Sequence, residues 1–191
     1  MARGRLAEAE AAYRRALTLR PIFAQAAEGL GNALRAQGDL GGALPYLQLA
    51  NSLEAKSFVF ALNLALAFHM LGHLDLAIER YQKILEDFPE RQIEPRMNLA
   101  SCYALVGDKQ RSIQEFMAAR ELAPRHPVIL DGLYEAKRQA CDWEDLPGLE
   151  ADCVDSIRSA IAAQQNTGFR GFTVLYLPLS AEEIRENNRL L

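Results

Sequence analysis

Along the first two-thirds of the chain, apolar and small residues recur at the three-to-four spacing of helices, broken by short stretches holding glycine or proline. The breaks are themselves periodic. Glycines stand at Gly4, Gly38, Gly72 and Gly107, separated by 34, 34 and 35 residues. Five residues after each comes a small residue: Ala9, Ala43, Ala77 and Ser112. Four further on stand Tyr13, Leu47, Tyr81 and Phe116, and three beyond those Ala16, Ala50, Ile84 and Ala119. Upstream of the last three glycines run Leu30, Leu64 and Leu99, then Gly31, Ala65 and Ala100, then Leu34, Phe68 and Tyr103. Pro21, Pro89 and Pro124 close three of the four units, and Ala55 stands at that place in the other.

This pattern predicts paired helices. Small residues let two backbones approach, and the large residues fill the space beside them. The glycine permits a positive φ in the turn between the helices, and the proline stops the second helix. No single pair buries its apolar face, so the pairs must stack. A phased period near 34 resembles tetratricopeptide repeats over residues 1–126. The first unit opens at its turn glycine and lacks a first helix, so further chain is expected upstream. Pro45, with Gly41 and Gly42 before it, is expected to weaken or kink the second helix of the next unit.

In stacked units the first helices line the concave face. Asn63 and Asn98 hold the same position on that face in successive units, Gly29 holds it in the unit before, and Asn32 lies one turn beyond Gly29. An asparagine amide both donates and accepts, so it can hold a peptide backbone without reading side chains. Asn32, Asn63 and Asn98 are therefore the partner-binding candidates. The same residues also fit an ordinary solvated helix face. A basic clamp for a C-terminal carboxylate is disfavoured, because the comparable positions are Glu28, Leu62 and Met97.

After the repeats, Ile129, Leu133, Ala136 and Ala140 form the stripe of one more first helix. No turn glycine or in-phase second helix follows; CDWED comes instead. Asp145 suits an N-cap, with Pro147 in the first turn. Leu149, Cys153, Ile157 and Ile161 predict a helix to about Ala163. A loop at residues 164–171 leads into an apolar run, FTVLYLPL, read as extended. Ser180 and Glu183 make a capping box for a last helix.

The passage from Arg138, Gln139, Cys141, Asp142 and Trp143 to Leu175–Ser180 resembles the entry into the catalytic region of O-linked N-acetylglucosamine transferases, SPINDLY-type and bacterial relatives included. The family's repeats also carry an asparagine ladder, which Asn63 and Asn98 match and Gly29 breaks. The resemblance implies that the parent protein transfers a sugar from a nucleotide sugar, UDP-GlcNAc, to protein hydroxyls, with the repeats presenting the acceptor. Gly168–Thr173 lacks the histidine that animal members carry there, so no residue is assigned as catalytic and this chain alone holds no cofactor site.

Composition narrows the rest. A net charge of −4 and a pI near 5.5 give no basic patch for nucleic acid or an anionic membrane. The most apolar run, residues 58–71, is too short to span a bilayer, and no signal-peptide pattern is visible. Cys102, Cys141 and Cys153 read as reduced thiols of a cytoplasmic protein, the latter two as packing thiols. Trp143 is expected to be a core anchor sealing the open end of the repeats. Glu144 and Asp145 read as helix-N-terminal charge. His69 and His73 have chelating spacing but Gly72 between them and no third ligand, so no metal site is expected.

The expectation is an all-α chain: a tetratricopeptide-repeat superhelical solenoid (1–126), a helical linker with the CDW motif (127–166) and a short α/β start of a truncated catalytic region (167–191). Its expected function is the substrate-presenting arm of a protein O-glycosyltransferase, or alternatively a free-standing scaffold. Extended protein segments are the expected partners, and self-association through the cut ends is a further one.

Overall fold

A computed structural model describes residues 2–191, and side chains for residues 5–170 and 173–191. Every regular element among them is helical. The elements are α1 (Ala2–Leu19), α2 (Ala24–Ala36), α3 (Leu40–Leu53), α4 (Phe58–Met70), α5 (Leu74–Asp87), α6 (Ile93–Leu105), α7 (Lys109–Leu122), α8 (Pro127–Gln139), α9 (Leu146–Ala162), α10 (Gly171–Val174) and α11 (Ala181–Leu190). Two units divide the chain, Met1–Asn98 and Leu99–Leu191.

In the first unit each helix from α1 to α5 packs on the next, and α2 also touches α4. The turn between paired helices is set by one left-handed residue. Gly38 has φ +88°, its N–H donates to Arg35, and the Asp39 N–H reaches back to Leu34. Gly72 repeats this with His69 and Phe68. These are Schellman turns, which satisfy two of the carbonyls that a helix end leaves open. The Asp39 carboxylate then accepts from the Gly42 N–H at 2.9 Å and starts α3. Ala43, Ala50 and Ala77 are fully buried on the second helices. α3 continues through Pro45, which faces solvent.

In the second unit Gly107 makes the same turn, with φ +83° and bonds to Ala104 and Tyr103. The next turn corrects the sequence expectation. Cys141, 34 residues on, has φ +54°; its N–H donates to Arg138 and the Asp142 N–H to Lys137. It makes the glycine turn without a glycine, and α8 and α9 pack together as a further helix pair. The pair escapes the pattern because Asp142–Asp145 delays the second helix, and Asp145 enters α9 in a left-handed conformation at φ +51° without a side-chain cap bond. Glycine freedom matters elsewhere too. A Cβ on Gly132 would meet the Phe116 ring, and one on Gly29 would meet Tyr13. Both stand where Asn63 and Asn98 stand in the middle units, and in both the ring of the preceding helix occupies the side-chain space.

Trp143 is not a core anchor. It is 60% exposed on the α8–α9 turn, and Leu146 and Leu149 are the residues buried there. The α/β start is also corrected. FTVLYLPL forms α10 and turns, with the Thr173 and Val174 N–H groups donating to the Arg170 carbonyl. Phe172, the first residue of that run, has its side chain outside the described residues. Val174 and Leu177, three apart, both enter the core that holds Leu133, Leu149 and Ile157. In an extended strand, residues three apart would face opposite sides.

The C-terminal segment is pinned by polar bonds. Asp131, buried on α8, accepts from the Arg170 N–H at 3.3 Å and from its Nε at 2.7 Å. The Thr167 hydroxyl donates to buried Asn187 at 2.5 Å, and the Asn187 amide donates to the Phe169 carbonyl at 3.4 Å. α11 packs on α9 and begins with the expected capping box between Ser180 and Glu183. Arg158 of α9 pairs with Glu183 at 2.6 Å. Bonding from Arg158 and from Ser180 holds the Glu183 carboxyl down at about 2, against an ordinary 4.5.

Two outcomes are expected. Cys141→Gly, which removes a left-handed side chain, stabilises the protein by about 0.5–1 kcal/mol in urea unfolding. Glu183 is held below its unfolded value, so its contribution is complete above pH 4.5 and lost as pH falls through about 2. Hydrogen exchange of α11 amides should therefore accelerate across that window, and Glu183→Gln should remove the acid-dependent step.

Candidate peptide-binding face

α2 buries Ala24, Ala27, Leu30, Gly31 and Leu34. Helical spacing then leaves Glu28, Asn32 and Arg35 as a half-buried polar row beside that stripe. On α4, Leu62, Leu64 and Ala65 are buried around half-buried Asn63. Because α2 and α4 touch, the two rows meet. Glu28 Oε1 accepts from the Asn63 amide at 2.7 Å and also from the Asn32 amide. Arg35 Nη2 donates to Asn32 Oδ1 at 3.0 Å, and its other terminal nitrogen lies 4.0 Å from the Met70 sulfur. One carboxylate thus fixes two amides on adjacent helices, a charge-assisted arrangement stronger than neutral pairs. The Asn63 carbonyl oxygen has no partner among the described residues and remains an acceptor on this face.

Asn32 and Asn63 are thereby brought together, and Asn98 is not. Asn98 is half-buried on α6. The position that Glu28 holds is Leu62 one unit later, so no equivalent carboxylate reaches for Asn98. Glu28 is the residue that the sequence reading missed. Its signal was present: it lies four residues before Asn32 and 35 before Asn63.

The other polar candidates resolve as packing. His69 is half-buried against Tyr81, ring centroids 6.4 Å apart, and burial lowers its pKa. His73 sits at the start of α5 beside Phe68. Among the described residues no cluster of three His, Cys, Asp or Glu is placed to hold a metal ion. No helix among them is long and apolar enough to cross a membrane. Cys102 and Cys153 are buried, and burial pushes their thiols up to about 11 and about 12. Cys141 is exposed at its turn rather than packed.

This architecture is an all-helical tetratricopeptide-repeat fold. Residues 1–56 match the tetratricopeptide repeat family model. Among solved structures, MamA superposes with a TM-score of 0.73 at 16% identity, over 80% of this chain and 88% of that one. PilF of Pseudomonas aeruginosa superposes at 0.70 and 16% identity, over 98% and 90%. YrrB, described as a TPR protein with an unusual peptide-binding site, superposes at 0.67 and 21% identity, over 80% and 78%. No curated protein matches the chain in sequence. The chain thus shares the tetratricopeptide-repeat fold of these structures, and its residues 1–56 match the family model. Nothing in these matches supports the resemblance of residues 138–180 to glycosyltransferases.

Brief iodoacetamide treatment at pH 8 should label the native protein at Cys141 alone, and denaturant should open Cys102 and Cys153. Peptide mass mapping reads the positions; native labelling of Cys153 at a comparable rate would contradict the burial of α9.

Proposed function

We propose that this chain is a protein-interaction scaffold that holds an extended segment of a partner along the α2/α4 face. The observation that carries this is the Glu28 carboxylate orienting Asn32 and Asn63. Fixed amides meet a backbone with less entropy lost on binding than mobile ones. Asn63 Oδ1 would accept from a bound backbone N–H, and Arg35 and Met70 border the same row. Asn98 would extend the track as a weaker, unanchored contact. The structural neighbours are repeat proteins matched over most of their own length, which supports a scaffold over the arm of a protein O-glycosyltransferase.

Replacing Asn63 with Ala should weaken binding of partner-derived extended peptides about fivefold, the loss of one or two backbone hydrogen bonds. Asn98→Ala should weaken it less, and helicity should stay unchanged in both. Fluorescence anisotropy on a peptide library measures this; equal binding by wild type and Asn63→Ala would overturn the assignment. Isothermal titration of UDP-GlcNAc into the full-length protein, rather than into these residues alone, separates the two functional readings, since binding there would reinstate the transferase.

A further inference from the structure

α3 and α5 each pack on α4 and do not pack on each other. The gap they leave is a groove of about 240 Å³, away from the α2/α4 row. Ala61 and Leu64 of α4 and Ile84 of α5 give it an apolar floor. Its rim is different in kind: Asn51 from α3, and Arg80, Lys83 and Asp87 from α5. Lys83 and Asp87 pair with each other at 3.3 Å. Arg80 has no such partner. No carboxylate pairs with it among the described residues, and its Nε is buried without a hydrogen-bond acceptor. A half-buried guanidinium normally ends on a carboxylate, because a desolvated, unsatisfied donor is costly. The groove therefore combines an apolar floor sized for one or two side chains with an unanswered positive charge.

We propose that the groove between α3 and α5 is a second docking site, which takes an acidic, leucine-bearing segment of a partner protein. A glutamate carboxylate of that segment lies against the Arg80 guanidinium, with the Asn51 amide and Lys83 beside it. A neighbouring leucine covers Leu64 and Ile84. Charge complementarity selects this occupant: the one acid on the rim, Asp87, is already engaged by Lys83, so an incoming anion meets a net positive edge. A basic segment would leave Arg80 unpaired and add repulsion.

The test uses the full chain and a fluorescein-labelled hexapeptide, glycine-leucine-glutamate-leucine-glutamate-glycine with an amidated end, beside its glutamine counterpart. The glutamate peptide should bind about tenfold more tightly at low salt, and the preference should shrink as salt rises. Arg80→Gln should erase the preference, while Asn63→Ala should leave it intact, which keeps this site separate from the α2/α4 face. Equal binding of the two peptides overturns the proposal. So does a preserved preference in Arg80→Gln with wild-type circular dichroism, or its loss in Asn63→Ala. Should Arg80→Gln fail to fold, Lys83→Gln, at an exposed position, should lower the preference about threefold, and an unchanged preference overturns the site.

Discussion

One left-handed residue at the end of each first helix is the constraint on which the rest depends. At Gly38, Gly72, Gly107 and Cys141 a positive φ lets two backbone N–H groups turn back onto the helix just finished. That closure sends the next helix back along its predecessor. Only then can Ala43, Ala77 and Ser112 be fully buried on the second helices. Remove the turn and the small residues lose their purpose, since nothing would press against them. The position tolerates a non-glycine at a cost of about 1 kcal/mol, and Cys141 shows the fold absorbing that cost once.

The same helix pairing creates two chemically distinct surfaces in the first unit. First helices touch, so their polar rows merge into one network under Glu28. Second helices are held apart by α4, so their facing residues line a groove. The first surface presents oriented amides suited to any backbone. The second presents a cation above apolar residues, which suits particular side chains.

Most of the fold was legible because repetition multiplies a weak local signal. Gly38, Gly72 and Gly107 state the same turn three times, and Ser180 with Glu183 states its cap outright. The legible part ended where a single residue departed from the repeat. Cys141 hid a turn because cysteine gives no hint of positive φ. Asp142–Asp145 then shifted α9 out of phase, so the pair read as a failure to repeat. FTVLYLPL looked extended because its residues favour strands, yet no neighbouring strand exists among the described residues to receive it. A large aromatic at the open end of the repeats argues for Trp143 inside, yet Leu146 and Leu149 fill that corner. At the candidate face, Asn32 and Asn63 were legible as positions. Their junction through Glu28 was not, because it links two units and appears only once they stack.

The polar bonds at the C-terminal end bear on how force would travel through the molecule. Repeat arrays ordinarily fray from the last helix inward, one contact at a time. Here Asn187 of α11 is tied to Thr167 and Phe169, Asn166 donates to the Leu191 carbonyl, and Arg170 is tied to Asp131 of α8. Tension applied at Leu191 meets the Asn166 bond first, then the Asn187 bonds and then the Asp131 pair, all ahead of α9. The second unit thus carries a clasp, which would hold its helix pairs folded until it released.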